Sequence, residues 1–275
     1  MNNKLVFARG RIVAEPLINV DGLINELNSN LDYLYGLSVD EILDHFDQVA
    51  IQLKDRGAGD NTLKVFADFI KKDNLQELLD FSLRGNYQVL DKFIDFGKSD
   101  YLYTCQPRGL VVHWLAGNVP LLGLYSIIQS MVTKNVSLVK APSQGYEELL
   151  RILELISQID STSIKGADLM KTVMVILLDR KDQELQNQIS EQADVRVAWG
   201  GKEAIEAITS LKKKLFSEDI VFGPKYSYGL IDRESLKDYR KITPRLAFDI
   251  CTFDQYACSS PHTIFVEEGG EVSAL

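Results

Sequence analysis

Cys258 is the residue whose type and surroundings best suit chemistry in this sequence. It lies in the segment DQYACSSPH, residues 254–262, among small and polar neighbours, whereas structural cysteines usually lie in apolar runs. An exposed thiol whose pKa is lowered by local dipoles acts as a nucleophile. The segment fits a small residue in a turn equally well, so the cysteine alone does not decide between the two interpretations.

A zinc site is a weaker interpretation of the same region. Cys251, Cys258 and His262 would supply three ligands, but their spacing matches no common zinc finger and no fourth ligand is evident. We expect Cys251, which follows a predicted helical stretch, to be packed in the interior, like Cys105. An odd number of cysteines forms no disulfide framework and is typical of a protein from the reducing cytoplasm.

The segment HWLAGNVP, residues 113–120, places a glycine, an amide and a proline directly after a predicted strand. The amide of Asn118 could donate hydrogen bonds into a cleft at the end of the strand, as a developing oxyanion requires. It could equally form an Asx turn that begins the next helix. We interpret His113, within the strand, as a structural histidine whose ring nitrogens are hydrogen-bonded.

Two further segments suit a nucleotide. Lys140 ends a predicted strand in SLVKAPS, where a cation could bind a ribose or its 2′-phosphate. Gly200 and Gly201, in AWGG, would let the backbone approach a ligand, and the helix that follows offers free N–H groups to a phosphate. AWGG is not a G-x-G-x-x-G fingerprint, and neither segment is specific alone.

An alternation of strands and helices, which begins after Pro107, positions these segments. Alternation with helices of roughly 10–15 residues is typical of βαβ units and a largely parallel sheet. Open sheets of this kind bind ligands at the carboxyl ends of their strands, where three of the segments lie. The predicted strands are 110–115, 136–139, 172–178, 195–199 and 228–231, and the predicted helices are 121–132, 146–159, 182–192 and 202–211.

The regions on either side of this alternation differ from it. No proline occurs between Pro16 and Pro107, and apolar residues recur there at helical spacing, which predicts a helical cover or an oligomerisation layer. Near the other end, residues 263–266 form a predicted strand, and Ser273 resembles a helix cap with no helix after it. The predicted N-terminal helices are 21–27, 38–53, 61–71 and 74–83.

The expected domain organisation follows from these patterns. A helical N-terminal part of a cofactor domain is expected at 1–106, a nucleotide-binding α/β core at 107–245, and the start of an incomplete second domain at 246–275. A C-terminally truncated chain is the expectation that best fits this ending.

The composition excludes several classes of protein. Lys and Arg number 30 and Asp and Glu 39, which gives a net charge of −9 and argues against a protein that binds the nucleic-acid backbone. No apolar run approaches the ~18 residues that cross a bilayer. Arg9, Arg11 and Glu15 interrupt the N-terminus, so it does not read as a secretory signal. A cytoplasmic protein remains the expectation.

Taken together, the segments resemble the bacterial acyl-CoA reductase family of the aldehyde dehydrogenase superfamily. The resemblance runs from about Tyr101 to Val266, and one member of that family is the fatty acid reductase of bacterial bioluminescence. It implies a doubly wound, mainly parallel sheet with a helical N-terminal region and an incomplete catalytic domain. The segments that carry it are HWLAGNVPL, SLVKAPS, ADVRVAWGGKEAI, FGPK and DQYACSSP.

The resemblance also implies roles for individual residues at the reacting centre. Cys258 falls where the family has its acyl-accepting nucleophile, and Asn118 falls where the superfamily has an oxyanion-hole side chain. The implied acyl donor is a fatty acyl-CoA or an acyl-enzyme, with acyl-transferring proteins as possible partners. The full-length protein is expected to be a homo-oligomer.

For the cofactor, the resemblance implies NADP(H). Lys140 matches the lysine that contacts the adenosine ribose, and Ser143 stands where many NAD-preferring relatives have a glutamate. A serine there would not repel a 2′-phosphate. Gly200 and Gly201 match the turn that holds the pyrophosphate, with Trp199 beside them.

One departure from the superfamily pattern bears on the reaction. Hydrolytic aldehyde dehydrogenases carry a glutamate in a Glu-Leu-Gly-Gly segment that activates water, whereas residues 221–225 here read VFGPK. A site without that base should preserve its thioester for reduction, which favours an acyl-CoA reductase over an acid-producing aldehyde dehydrogenase. Glu218 and Asp219 are interpreted as solvated charges. A non-catalytic nucleotide-binding fragment is the remaining alternative.

Overall fold

The structure of the protein, a computed structural model, describes most of the chain. The described residues are 3–56, 60–97, 100–117, 121–251, 255 and 257–268. Asn118 and Ser273, for which the sequence suggested roles, lie outside them.

Helices follow an initial pair of strands in the first hundred residues. In chain order the elements are β1 (Lys4–Ala8), β2 (Arg11–Pro16), α1 (Val20–Asn28), α2 (Leu31–Gly36), α3 (Val39–Arg56), α4 (Asn61–Phe69), α5 (Lys72–Ser82), β3 (Ile94–Asp95) and β4 (Leu102–Tyr103).

Strands and helices alternate through most of the remaining chain, as the sequence predicts. These elements are β5 (Leu110–Trp114), α6 (Leu122–Val132), β6 (Val136–Lys140), α7 (Glu147–Ser157), α8 (Gly166–Leu169), β7 (Val173–Leu177), α9 (Gln183–Gln192), β8 (Val195–Trp199), α10 (Lys202–Thr209), β9 (Glu218–Phe222), β10 (Ser227–Ile231), α11 (Arg233–Leu236), α12 (Tyr239–Cys251) and β11 (Pro261–Val266).

A seven-stranded sheet, in the order β2-β1-β7-β6-β5-β8-β9, forms the centre of the fold. The five strands from β7 to β9 run parallel, and β1 and β2 extend the sheet in antiparallel fashion. Every residue of β5 and β7 is buried, because helices cover both faces of a parallel sheet. Such strands are mostly apolar, and His113 is the polar residue of β5. The predicted mainly parallel α/β sheet is confirmed.

The order of the strands reverses direction at β5. From β5 the chain proceeds through β6 to β7 on one side and then returns to place β8 and β9 on the other side. A crevice forms outside the carboxyl ends of the two strands that flank such a switch point, and ligands bind there in open α/β sheets. This topology makes the loops after β5 and β8 the first place to look for a site.

The first two strands are an addition to the predicted helical N-terminal region. They form a hairpin whose two-residue turn, Arg9-Gly10, has positive φ angles of 55° and 72°, as tight hairpins require.

The helices that the sequence predicts after this hairpin are present. Ser38 and Glu41 start α3 with reciprocal hydrogen bonds, from the Ser38 N–H to Glu41 Oε2 at 2.8 Å and from the Glu41 N–H to Ser38 Oγ at 3.2 Å.

A smaller parallel pair, β10 and β11, follows the main sheet. Tyr228, Leu230 and Phe265 are exposed on it, and α12 has no buried residue among those described. Of the helices within the described ranges, none is both long and apolar enough to span a bilayer.

Candidate active and cofactor site

The loop after β5 contacts the loop after β6 at the carboxyl edge of the sheet. The N–H of Leu115 donates to the carbonyl of Lys140 at 3.1 Å. A Cβ atom added to Gly117 would lie 3.1 Å from Cβ of Pro142, so the two loops touch at a residue with no side chain. The structure therefore brings the segment that precedes Asn118 together with the segment of Lys140 and Ser143.

The turn after β8 is joined to the end of β9 in a similar way. The indole of Trp199 stacks on the ring of Phe222, with centroids 3.8 Å apart and planes 9° apart. The N–H of Gly200 donates to the carbonyl of Phe222 at 3.2 Å. Consequently AWGG and FGPK, two segments about 20 residues apart in the sequence, form one wall of the crevice.

The start of α10 provides free donors for an anion. Gly201 is its N-cap, with extended backbone and no side chain to accept from the first turn, so the first N–H groups of the helix have no cap. A Cβ atom added to Gly201 would meet no atom of the described part of the chain within 4 Å, so the space next to these donors is open there. An uncapped helix N-terminus with open space favours a phosphate. In addition, Nε1 of Trp199 is buried and has no hydrogen-bond partner among the described residues.

Lys140 presents a half-buried cation at the end of β6. Burial lowers the pKa of its ammonium, and the positive charge of Arg180 lowers it further. Within the described ranges Lys140 forms no ion pair. Ser143 is exposed in the loop that follows. These residues, with the start of α10, fit a nicotinamide adenine dinucleotide. Lys140 and Ser143 offer a cation and a hydroxyl to its adenosine ribose, and the start of α10 offers backbone donors to its pyrophosphate.

Cys258 lies on an anchored turn that precedes β11. Ala257 and Ser260 are buried, 6% and 1% exposed, while Cys258 and Ser259 between them are exposed. Ser227, at the start of β10, donates from Oγ to the carbonyl of Cys258 at 2.6 Å. The side chain of Ser227 therefore anchors the turn to the start of β10, and the thiol of Cys258 is exposed to solvent.

Connectivity limits how far the Cys258 turn can be from the crevice. Phe222 and Ser227 are five residues apart, and a fully extended chain of that length spans at most about 18 Å. Because Ser227 contacts the turn of Cys258, the thiol and the Trp199–Phe222 pair belong to the same end of the molecule.

His113 is structural, as the sequence predicts. It is 1% exposed, its Nδ1 lies 2.8 Å from Oγ of Ser126, and its Nε2 lies 3.1 Å from Oγ of Ser137. Burial lowers its pKa to about 3, so the ring stays neutral near pH 7 and serves no acid or base role in the crevice.

One smaller prediction was wrong, since Cys251 is exposed and not packed in the interior. Glu218 and Asp219 are exposed, as expected. In addition, the carboxylate of Asp219 accepts two hydrogen bonds from buried Arg196, at 2.6 and 2.8 Å. Where the structure describes the chain, no group of three or more His, Cys, Asp or Glu side chains could hold a metal ion, and this includes the suggested set of Cys251, Cys258 and His262.

A cavity of about 470 Å³ lies elsewhere, between α3 and residues 160–163. These residues precede β7, so the cavity is at the amino edge of the sheet, opposite the crevice. Among the described residues, four carboxylates line it and no thiol or cationic side chain does, so it suits neither an anionic cofactor nor acyl transfer. Its acidic lining residues are Glu41, Asp44, Asp47 and Asp160.

The sequence interpretation missed three residues that contact this region. Arg180 follows the strand next to Lys140, Ser227 contacts the carbonyl of Cys258, and Arg196 links β8 to β9. Only Arg180 had a usable signal, since it lies three residues after the end of a buried strand.

Comparison with known proteins gives a consistent family. A model of the family described as acyl-CoA reductase (LuxC) matches residues 25–274. The long-chain acyl-protein thioester reductase of Aliivibrio fischeri is 31% identical over 259 residues, which cover 90% of this chain and 52% of that protein. The chain spans about half the length of the curated relatives it matches.

Solved structures with the same fold are aldehyde dehydrogenases and a related enzyme. The NAD+ complex of aldehyde dehydrogenase from Bacillus cereus matches with a TM-score of 0.66 and 14% identity, over 98% of this chain and 60% of that one. Glyceraldehyde-3-phosphate dehydrogenase GapN from Methanocaldococcus jannaschii, complexed with NADP, matches with a TM-score of 0.67 and 16% identity, over the same shares. The predicted aldehyde-dehydrogenase-like fold is confirmed.

Proposed function

Because the chain belongs to the acyl-CoA reductase (LuxC) family, we propose that its crevice serves the reduction of a long-chain fatty acyl thioester to an aldehyde by NADPH. The acyl donor in this proposal is a fatty acyl-CoA or an acyl-carrying partner protein. The observation that carries the proposal is the exposed thiol of Cys258 on a turn that is hydrogen-bonded to Ser227, five residues after Phe222 in the Trp199–Phe222 wall.

Cys258 is the proposed nucleophile. Its thiolate attacks the acyl carbonyl, a bond forms between Sγ and the acyl carbon, and the carrier thiolate leaves. NADPH, when bound, supplies a hydride to the acyl carbon. The tetrahedral thiohemiacetal then collapses, the bond between carbon and Sγ breaks, and the aldehyde leaves while Cys258 returns to its thiolate form.

The oxyanion that forms in each step needs hydrogen-bond donors. We propose the side-chain amide of Asn118 and the backbone N–H of Cys258 for this role. Gly117, the residue before Asn118, supports it, since its backbone packs against Pro142 in the loop after β6. Loss of one such donor typically lowers the rate roughly 10²–10³-fold.

The wall of the crevice suits the preservation of a thioester. Hydrolysis of the acyl-enzyme would need a base that activates water. The VFGPK segment contains no carboxylate, and the ring of Phe222 stacks on Trp199. The acyl-enzyme would therefore react with a hydride in preference to water. This favours aldehyde over acid as the product.

NADPH is proposed over NADH on the charges of the crevice. The ammonium of Lys140 has no carboxylate partner in the described part of the chain, and Ser143 is exposed beside it. Their place in the fold suits an adenosine ribose with a 2′-phosphate, and the start of α10 suits the pyrophosphate. We further propose a cytoplasmic homo-oligomer.

A non-catalytic nucleotide-binding role is the second candidate. The exposed apolar face of β10 and β11, with Tyr228, Leu230 and Phe265, favours it, because an acyl pocket needs apolar side chains that are covered. This candidate predicts nucleotide binding without acyl transfer to the protein.

Acyl labelling separates these candidates. The protein is incubated with a radiolabelled long-chain acyl-CoA and the protein-bound label is measured before and after treatment with hydroxylamine. We expect labile label on the wild type and on Cys251→Ala, and none on Cys258→Ala. Cys251 is the matched control because it is also an exposed thiol. Equal labelling of all three proteins would contradict the proposed nucleophile.

A further inference from the structure

Cys258 occupies the tip of a tight turn that leads directly into β11. The N–H of Ser260 donates to the carbonyl of Ala257 at 3.1 Å, so Cys258 and Ser259 are the two central residues of a β-turn. The residues at the two ends of the turn are buried, and β11 begins one residue later, at Pro261. The first residues of β11 are therefore the part of the strand that adjoins the thiol.

The pairing of β10 with β11 contains a bulge at His262. Ser227 and Tyr228 are consecutive in β10, but their partners in β11 are Pro261 and Thr263. His262 is thus the extra residue, without a partner in β10. Bulges redirect side chains and are frequent next to active sites. This bulge lies beside the serine whose hydroxyl donates to the carbonyl of the nucleophile.

The bulge also changes the face on which the strand presents its residues. Two residues that are two positions apart in a regular strand lie on the same face. Here Pro261 pairs with half-buried Ser227, whereas Thr263 pairs with exposed Tyr228, so the two lie on opposite faces. His262 stands at the point where the strand changes face, and its side chain is exposed.

The thiol and the imidazole are close along the chain and both reach solvent. Four residues separate Cys258 from His262, which limits their separation to about 14 Å in an extended chain, and the turn shortens it further. In the described part of the chain, the ring of His262 has neither a hydrogen bond nor an ion pair. Its nitrogens are therefore available to exchange a proton with a nearby group.

The charged groups of the neighbouring elements do not pair with His262. At the far end of β11, Glu267 accepts from the N–H of Arg233 at 2.9 Å. α12, which packs against β11, and the segment before β10 carry further charges, all exposed and none of them in an ion pair with the imidazole within the described ranges. These are Lys225, Arg240, Lys241, Arg245 and Asp249.

We propose that His262 is a catalytic residue of acyl transfer, whose imidazole takes the proton from Sγ of Cys258 and passes it to the departing carrier thiolate. This inference rests on the proposed function. A base beside a thiol activates it as a nucleophile, and histidine performs this role most often because it exchanges protons near neutral pH.

The protons balance over the whole reaction. As the bond between Sγ and the acyl carbon forms, the thiol proton moves to the imidazole. As the bond between the acyl carbon and the carrier sulfur breaks, the imidazolium gives this proton to the carrier thiolate. After hydride transfer and collapse of the thiohemiacetal, Cys258 leaves as a thiolate and takes up one proton from solvent through the neutral imidazole. Each turnover therefore consumes one hydride and one proton.

The test measures acylation as a function of pH. Single-turnover labelling of the protein with a radiolabelled long-chain acyl-CoA is followed between about pH 5.5 and pH 9.5 for the wild type and for His262→Gln. At pH 7 we expect His262→Gln to be about 10–100-fold slower. The effect lies at the low end for general-base catalysis because a few per cent of a thiol is ionised at neutral pH without help.

The shape of the pH profile separates proton transfer from a structural role. The wild-type rate should rise near about pH 6.5, where imidazole loses its proton, and then level off. The rate of His262→Gln should rise near about pH 8.5, where thiols ionise unaided, so the two rates converge in alkali. Free imidazole should restore part of the rate to His262→Ala. Thr263→Ala, which changes the next exposed residue of the strand, is the matched control and should acylate like the wild type.

The outcomes distinguish this inference from the proposed function. If the wild type is acylated on Cys258 and His262→Gln matches it in rate and pH profile, the inference is wrong and the acyl-transfer proposal stands. A loss in His262→Gln that is equal at every pH, with no recovery of His262→Ala by imidazole, would also overturn the inference. If the wild type takes up no label on Cys258, both proposals are overturned.

Discussion

Trp199 and Phe222 stack face to face at the carboxyl ends of β8 and β9, with their ring centroids 3.8 Å apart. The two residues are also in register in the sheet, and a hydrogen bond from the N–H of Gly200 to the carbonyl of Phe222 continues the pairing past the end of β8. The stack therefore fixes the turn that leads into α10, and with it the backbone donors proposed for the pyrophosphate.

Replacement of Phe222 by alanine should loosen this turn. Loss of the stacked pair is expected to lower the free energy of unfolding by about 1–3 kcal/mol and to weaken binding of NADPH and NADH alike. Phe222→Tyr keeps the ring and should retain both properties. Urea denaturation and nucleotide titration measure them. Loss of NADPH binding without loss of NADH binding would contradict this role, since both nucleotides contain the pyrophosphate.

Much of the fold could be predicted because the local signals agree with the final structure. Residues 110–115 are an apolar run that ends at a glycine-containing loop, and the structure has a buried strand over Leu110–Trp114. The same agreement holds for residues 195–199 and the glycines after them. Buried parallel strands are readable in this way because most of their residues are apolar, although His113 interrupts β5 and Arg196 interrupts β8.

The parts that were missed depend on contacts between distant residues. β9 begins with Glu218 and Asp219, which read as surface charges until Arg196, 23 residues earlier, is placed beside Asp219 by the pairing of β8 with β9. No spacing rule in a single sequence identifies that partner. The contact of Ser227 with Cys258 is of the same kind, since it joins residues 31 positions apart.

Removal of the Ser227 hydroxyl should slow the acylation of Cys258. The hydrogen bond to the Cys258 carbonyl orients the peptide groups of the turn, and its loss is expected to lower the acylation rate about 3–10-fold, with a stability change near 1 kcal/mol. Ser227→Thr retains a hydroxyl and should retain most of the rate. Single-turnover labelling with radiolabelled acyl-CoA measures it. If Ser227→Ala acylates at the wild-type rate, the hydrogen bond does not position the nucleophile.

Replacement of Asp219 by asparagine should destabilise the edge of the sheet. Arg196 is 1% exposed, and the variant would leave its guanidinium without a charged partner, at a cost of roughly 2–4 kcal/mol. Glu218→Gln is the matched control, because the carboxylate of Glu218 pairs with Arg108 at the exposed surface. This substitution should lower the free energy of unfolding by less than about 1 kcal/mol. Chemical denaturation at pH 7 gives both values. Similar values for the two variants would show that the Arg196 pair does not stabilise the fold.

The same pair should make stability depend on acid. Hydrogen bonds from Arg196 lower the pKa of Asp219 below its ordinary value, so its contribution is present above about pH 4 and is lost as the pH falls through the lowered pKa. The difference in unfolding free energy between the wild type and Asp219→Asn should therefore shrink below pH 4. A difference that stays constant from pH 7 to pH 3 would contradict this.

Two buried histidines should make the free energy of unfolding depend on pH in a higher range than Asp219 does. Burial lowers the pKa of His113 to about 3 and that of His45 to about 4, whereas an unfolded histidine titrates near about 6.5. Since the unfolded chain takes up protons first, the free energy of unfolding should fall as the pH is lowered from about 6.5, by up to about 1.4 kcal/mol per pH unit for each histidine. His45→Asn should remove one share of this slope, measured by urea denaturation between pH 7 and pH 4.5. His262→Asn, at an exposed position, is the control for the loss of a histidine as such. If His45→Asn and His262→Asn give the same slope as the wild type, burial of the His45 ring is not what makes the fold sensitive to acid.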